Sequence, residues 1–188
     1  MARYEAIVIG CSRGGLRALK TLLGALDRHL QQTIVVCSHR SSESSGLAEL
    51  LTGHSALPVE DAGERQPARG GVVHLAPPGY HLLLERDCHF ALSVDPAVYF
   101  SRPSIDVLFD SAAEVWGSAL IGVVLTGANP DGARGLANIR RHGGLAIVQD
   151  PADAEAPAMP LAALDLAGAD HCLALVRVAP LLNHLCLK

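Results

Sequence analysis

Three short segments constrain this chain more than anything else in it. Gly10-Cys11-Ser12-Arg13-Gly14-Gly15, Cys37-Ser38-His39 and Thr126-Gly127-Ala128-Asn129-Pro130-Asp131-Gly132 each follow an apolar run that reads as a buried strand. Continuous apolar strands alternating with amphipathic stretches belong to a mostly parallel sheet covered by helices on both faces. In such a sheet the carboxyl ends of the strands lie along one edge, so residues far apart in sequence can meet in one crevice. A serine, a histidine and an aspartate at three such ends are the parts of a Ser-His-Asp hydrolase.

The spacing predicts strands over 4–9, 33–38, 56–61, 120–125 and 145–149, and helices over 14–26, 46–52, 104–116, 131–142, 160–167 and 178–187. Ser104 is placed to cap the helix that carries Ile105, Leu108, Phe109, Ala112 and Trp116 on one face. The runs 72–76, 80–85 and 88–94 are broken by Pro77-Pro78-Gly79 and Arg86-Asp87, the punctuation of an antiparallel hairpin, expected at an edge of the sheet. The expected fold is α/β: a doubly wound, mostly parallel, Rossmann-like three-layer α/β/α sheet with an added antiparallel hairpin. With 188 residues, 49% of them hydrophobic and 18% charged, residues 1–188 are expected to form one domain.

A net charge of −4 without Lys/Arg runs argues against a nucleic-acid partner. Tyr4 enters a strand almost at once, without the basic, apolar and small-residue regions of a secretory leader, and no apolar run reaches membrane-spanning length. The expectation is a cytoplasmic protein with no direct membrane insertion. The five cysteines, Cys11, Cys37, Cys88, Cys172 and Cys186, are odd in number and lack CxxC pairing, so reduced thiols are expected rather than disulfides or a metal site. No cofactor is expected either: the first loop is neither a P-loop nor GxGxxG, and the second strand ends in Cys37-Ser38-His39 where a ribose-binding acid would stand.

Ser12 sits where a strand must turn sharply into a helix, and its glycine neighbours leave room for a substrate and for backbone N–H donors. The same residues also suit a plain turn in which Ser12 caps the helix. His39 ends a strand adjacent to the first, as a base reaching Ser12 requires. His29, His54, His142 and His184 fall on helix ends or polar loops, and nothing pairs His74, His81, His89 or His171 with a nucleophile. Asp106, Asp131 and Asp150 all lie near element ends. Asp131 is placed to cap the helix that follows it, to accept the second imidazole N–H, or to do both, whereas Asp150-Pro151 reads as the start of a turn.

Taken together, the segments around Ser12, His39 and Asp131 resemble the catalytic domain of the bacterial chemotaxis protein-glutamate methylesterases, the CheB type. That family's glycine-flanked Ser, its His and the Asp of its Thr-Gly-Met-Gly-x-Asp-Gly segment correspond to Ser12, His39 and Asp131. Ser55-Ala56-Leu57-Pro58-Val59, Val73-His74-Leu75-Ala76-Pro77-Pro78-Gly79, Arg102-Pro103-Ser104-Ile105-Asp106-Val107-Leu108-Phe109 and Ala158-Met159-Pro160 look familiar in the same order. The resemblance implies a serine hydrolase of glutamate methyl esters, also able to deamidate glutamine, acting on an acidic or methylated protein segment such as a chemoreceptor cytoplasmic helix. The family's usual members carry an N-terminal receiver domain; with only a few residues before the first strand here, the expectation is a stand-alone or constitutively open form, or else a piece of a longer chain.

This chain departs from the family pattern at Arg13, where threonine is usual, at Ser38-His39-Arg40 for Gln-His-Met, and at Ala128-Asn129 for Met-Gly. The Arg13 N–H, aided by the backbone at Ala128, is the expected oxyanion donor. Arg13, Arg40, Arg102 and Arg134 are expected to make a positive mouth toward the substrate. The departures also leave open a silent relative serving as a binding module in a signalling assembly, and a Rossmann-type nucleotide binder remains a further alternative.

Overall fold

The computed structural model describes residues 4–39 and 46–187. Seven parallel strands form one sheet in the order β3-β4-β2-β1-β7-β8-β9: β1 Ala6–Cys11, β2 Thr33–Ser38, β3 Val59–Asp61, β4 Val73–Leu75, β7 Leu120–Val124, β8 Leu145–Gln149 and β9 His171–Leu173. The remaining strands, β5 His81–Leu84 and β6 Phe90–Ser93, pair antiparallel in a second sheet. Six α-helices, α1 Gly15–Gly24, α2 Leu47–Thr52, α3 Ile105–Trp116, α4 Ala133–Arg141, α5 Ala158–Leu166 and α6 Leu175–Cys186, and a short 3-10 helix, Gly117–Ala119, complete the described fold.

Side-chain alternation along β1 shows why two helical layers are needed. Ile7 and Ile9 point into a cluster with Leu19, Leu22 and Leu23 of α1 and Val178 and Leu182 of α6. Ala6 and Val8 point the other way, into a cluster with Leu108 and Phe109 of α3, Leu136 and Ile139 of α4 and Met159 and Ala163 of α5. A strand apolar on both faces is stable only between two covering layers. The doubly wound fold follows, and β1, central and fully buried, carries Ser12 at its end.

The hairpin differs from expectation in its place. The run around Val73 joins the main sheet, paired with both β2 and β3. Only β5 and β6 form the hairpin, and it is not added to an edge of the main sheet. It lies against α3, with Leu82, Leu84 and Phe90 buried in the cluster that holds Leu108 and Phe109, and the Ser111 hydroxyl accepts the Leu84 N–H at 3.0 Å. β9 has no counterpart among the expected strands: it is a three-residue, partly exposed edge strand, and the apolar run 172–176 is divided between it and the start of α6. No helix of the described residues is long and apolar enough to cross a membrane, and no disulfide joins the cysteines.

Two glycines bring the start of α3 up to the end of β1. A Cβ on Gly10 would run into Ile105 Cγ2, and one on Gly132, whose φ is +95°, would lie 2.7 Å from the same atom. Ile105 therefore seats between two backbones that only glycine leaves open. Gly10→Ala is expected to lower stability by about 1–3 kcal/mol through overpacking, and by clearly less in an Ile105→Ala background. Urea unfolding of the four proteins of this cycle checks it; strictly additive losses would contradict the seating.

Candidate active site

The β1–β2 register pairs Cys11 with Ser38, so the next residues, Ser12 and His39, emerge side by side. The His39 N–H extends the pairing by donating to the Cys11 carbonyl at 3.1 Å, and the Ser12 N–H donates to the Thr126 carbonyl at 2.9 Å across to the loop after β7. The Thr126 hydroxyl in turn donates to the Arg13 carbonyl at 2.9 Å. Ser12 does not cap α1: Gly14, at φ 78°, is the residue before the helix, and no side chain caps it. The Ser12 hydroxyl faces His39 instead, with Oγ 3.2 Å from Nδ1.

The other ring nitrogen meets Asp131, Nε2 to Oδ2 at 2.7 Å. Asp131 caps a helix, but not the one that follows it. Its Oδ1 accepts from the Ser104 hydroxyl and the Asp106 N–H, both at 2.9 Å, and its Oδ2 also accepts the Ile105 N–H at 2.7 Å. A carboxylate here closes the N-terminus of α3, where free N–H groups and the helix dipole favour negative charge. Burial pushes the Asp131 pKa up, but the hydrogen bonds from His39, Asp106 and Ile105 outweigh it and hold the carboxyl below its ordinary value.

Proton bookkeeping then fixes the ring. An ionised Asp131 only accepts, so Nε2 carries the hydrogen, and a neutral His39 turns the lone pair of Nδ1 toward Ser12. The ring is used in the opposite sense to the chymotrypsin arrangement, where Nε2 faces the serine. Either nitrogen of a neutral imidazole can present its lone pair to a hydroxyl.

Asp106 reciprocates the capping. Its Oδ1 accepts the N–H groups of Gly132 and Gly135 at 3.0 and 2.7 Å, at the start of α4. Each aspartate thus sits on or beside one helix start and closes the other. Burial raises the Asp106 pKa from 3.8 to about 6, opposed by the Gly135 N–H and Arg134 and reinforced by the charges of Asp131 and Asp110. Asp150 lies apart, accepting the Ala152 N–H at 2.9 Å in a turn after β8. His81 is buried behind Ser104: its Nδ1 accepts the Ser104 N–H at 3.1 Å and its Nε2 donates to the Pro96 carbonyl at 3.0 Å.

Two of the four arginines expected at the mouth have partners of their own. Arg134 is spent on Asp110 at 2.9 Å, and the Arg102 Nη1 donates to the carbonyls of Val94 and Asp95 at 2.8 and 3.1 Å. Arg13 is exposed, and Arg40 lies outside the described residues. The cations that line the groove beside Ser12 are Arg17 and Lys20, one and two turns along α1; this groove of about 730 Å³ also exposes Leu16 and Leu50 and carries Glu155. The backbone N–H groups of Arg13 and Ala128 have no hydrogen-bond acceptor among the described residues.

Asn129 adds a side chain to the site. Its Oδ1 accepts the Asp131 N–H at 3.1 Å, and its Nδ2 lies 3.5 Å from His39 Nδ1. Among the described residues no cluster of three His, Cys, Asp or Glu side chains is placed to hold a metal ion.

The model of the family described as CheB methylesterase matches residues 7–182. A protein of Leptospira interrogans is 46% identical over 183 residues, covering 97% of this chain and 95% of that protein. A Cupriavidus pinatubonensis protein named protein-glutamate methylesterase/protein-glutamine glutaminase 1 is 38% identical over 187 residues, 99% of this chain but 55% of its own length. The crystal structure of the Thermotoga maritima CheB methylesterase catalytic domain superposes with a TM-score of 0.92 at 30% identity, covering 97% of this chain and 98% of that one.

The raised carboxyl of Asp106 sets a pH test of the crossed caps. Such a group contributes stability that is fully present below about 3.8 and is lost as pH rises through about 6. The stability of Asp106→Asn relative to the parent is expected to improve by about 2–3 kcal/mol between pH 4 and pH 7. Urea unfolding at both pH values measures it, and a difference that does not change with pH would contradict the burial argument.

Proposed function

The chain belongs to the CheB methylesterase family, and from that premise we propose that residues 1–188 form one catalytic unit that hydrolyses glutamate methyl esters in a protein substrate. Ser12 is the nucleophile, His39 the general base and acid, and Asp131 the buried carboxylate that orients the ring. The observation that carries this reading is the continuous path from Ser12 Oγ to His39 Nδ1 at 3.2 Å and from His39 Nε2 to Asp131 at 2.7 Å.

The reaction follows from that path. His39 Nδ1 takes the hydroxyl proton as Ser12 Oγ attacks the ester carbon, and Asp131 stabilises the imidazolium without itself accepting the proton. The proton passes from Nδ1 to the methoxy oxygen, the C–O bond breaks, and methanol leaves. Water then gives a proton to Nδ1 and attacks the acyl group, which frees Ser12 and leaves a glutamate. The unengaged N–H groups of Arg13 and Ala128 serve the oxyanion, each such donor lowering the barrier by about 3 kcal/mol. With glutamine as substrate the same path releases ammonia, the second activity in the name of the Cupriavidus relative.

The substrate is a helical cytoplasmic segment of a methyl-accepting chemotaxis receptor. The groove beside Ser12 supports this: Leu16 and Leu50 suit the apolar stripe of a helix, and Arg17 and Lys20 suit acidic side chains beside it. No nucleic acid or membrane insertion is involved.

A serine-reactive fluorophosphonate is expected to label Ser12, and the label is expected to disappear in His39→Ala. Asp131→Asn is expected to retain the fold and lose about 10⁴-fold in ester turnover, followed as methanol released from a glutamyl methyl ester peptide. A chain that binds such peptides but neither takes up the label nor releases methanol would be a binding module instead.

A further inference from the structure

Asn129 stands where the family pattern has its second glycine, so this chain places a polar side chain beside the reacting atoms where the pattern has none. The orientation of its carboxamide is fixed. The Asp131 backbone N–H, 3.1 Å away, can be met only by the oxygen Oδ1, which turns the amino end toward His39. Pro130 follows directly and restricts the backbone of Asn129 to extended conformations. Nδ2 lies 3.5 Å from His39 Nδ1, the ring nitrogen that also faces the Ser12 hydroxyl. That separation is too long for the contact to occupy the donor, and Nδ2 has no other acceptor among the described residues.

Building on the triad reading, we propose that Asn129 is a specificity-determining residue that makes this site prefer methyl esters to primary amides, by donating a hydrogen bond to the leaving-group oxygen. The leaving group must lie against Nδ1, because Nδ1 delivers the proton taken from Ser12. A methoxy oxygen in the tetrahedral intermediate has two lone pairs: one accepts the Nδ1 proton as the C–O bond breaks, and the other accepts from Asn129 Nδ2. An amide nitrogen in the same intermediate has one lone pair and two hydrogens. The lone pair takes the Nδ1 proton, and one of its N–H groups is left facing the N–H of Asn129 with no acceptor between them. An unmatched donor in a partly desolvated site is the kind of mismatch on which strong discrimination rests. A glycine leaves that space to water, which accepts or donates as required.

The test uses two otherwise identical helical peptides, one with a glutamate γ-methyl ester and one with glutamine at the same position, and measures kcat/KM for both. The ratio of the two values does not depend on how much of a variant is folded. Asn129→Gly is expected to lower the ester-to-amide ratio about tenfold. Asn129→Asp keeps an acceptor for the Asp131 N–H but offers the leaving group an acceptor instead of a donor, and is expected to lower the ratio further. If wild-type amide turnover is below detection, its appearance in these variants counts as the expected fall. Ester turnover that persists with an unchanged ratio in both variants overturns the role of Asn129 alone. Absence of any Ser12-dependent turnover in the wild-type chain overturns the triad reading, and the inference with it.

Discussion

The carboxylate of Asp131 meets four donors, one from the ring of His39 and three from the first residues of α3. Remove the helix start and a buried charge is left with one partner; remove the charge and the ring loses the acceptor that decides which nitrogen is protonated. Helix, carboxylate and imidazole are therefore one unit. The Ser12 hydroxyl depends on it, because the lone pair that it needs exists only while Nε2 holds the hydrogen.

That unit in turn requires α3 to approach the sheet very closely. Gly10 and Gly132 leave the room, Ile105 fills it, and Asp106 ties the start of α4 to the first turn of α3. The crossed capping places two carboxyls near each other in a buried site, and the result is a division of states. Asp131, with four donors, is held ionised; Asp106, with fewer, is pushed toward the neutral form. The fold thus keeps one full negative charge against the His39 ring and softens the other.

What the sequence made legible was decided by how local the signal is. β1, β2, β7 and β8 are apolar runs followed by polar or glycine-bearing turns, and Ser12, His39 and Asp131 could be read from their places at the ends of such runs. Ser104 could be read as an N-cap because the cap lies next to its helix. Its second bond, to Asp131, joins residues 27 apart, and neither residue type nor spacing announces it. The Asp131 side chain was read against the helix that follows it and closes a different one. β9 shares its apolar run, 172–176, with the start of α6, so no pattern of its own sets it apart, and the three-residue β4 found its place through strands on both sides rather than through its own pattern. The partners of Arg134 and Arg102 were not legible, because a guanidinium settles on the nearest acceptors, Asp110 for Arg134 and two carbonyls for Arg102, and these are fixed by packing. The family resemblance carried the reading of the site further than the residues alone, and the comparisons bear out the family.

The central claim is that the α3-bound carboxylate of Asp131 dictates the tautomer of His39. Long-range proton–nitrogen NMR of the ¹⁵N-histidine-labelled protein, with His39 assigned by its absence from His39→Ala, reads this directly. When the ring carries a single proton, the account predicts a protonated Nε2 and a bare Nδ1 facing Ser12. A hydrogen on Nδ1, with Nε2 bare against Asp131, would contradict it.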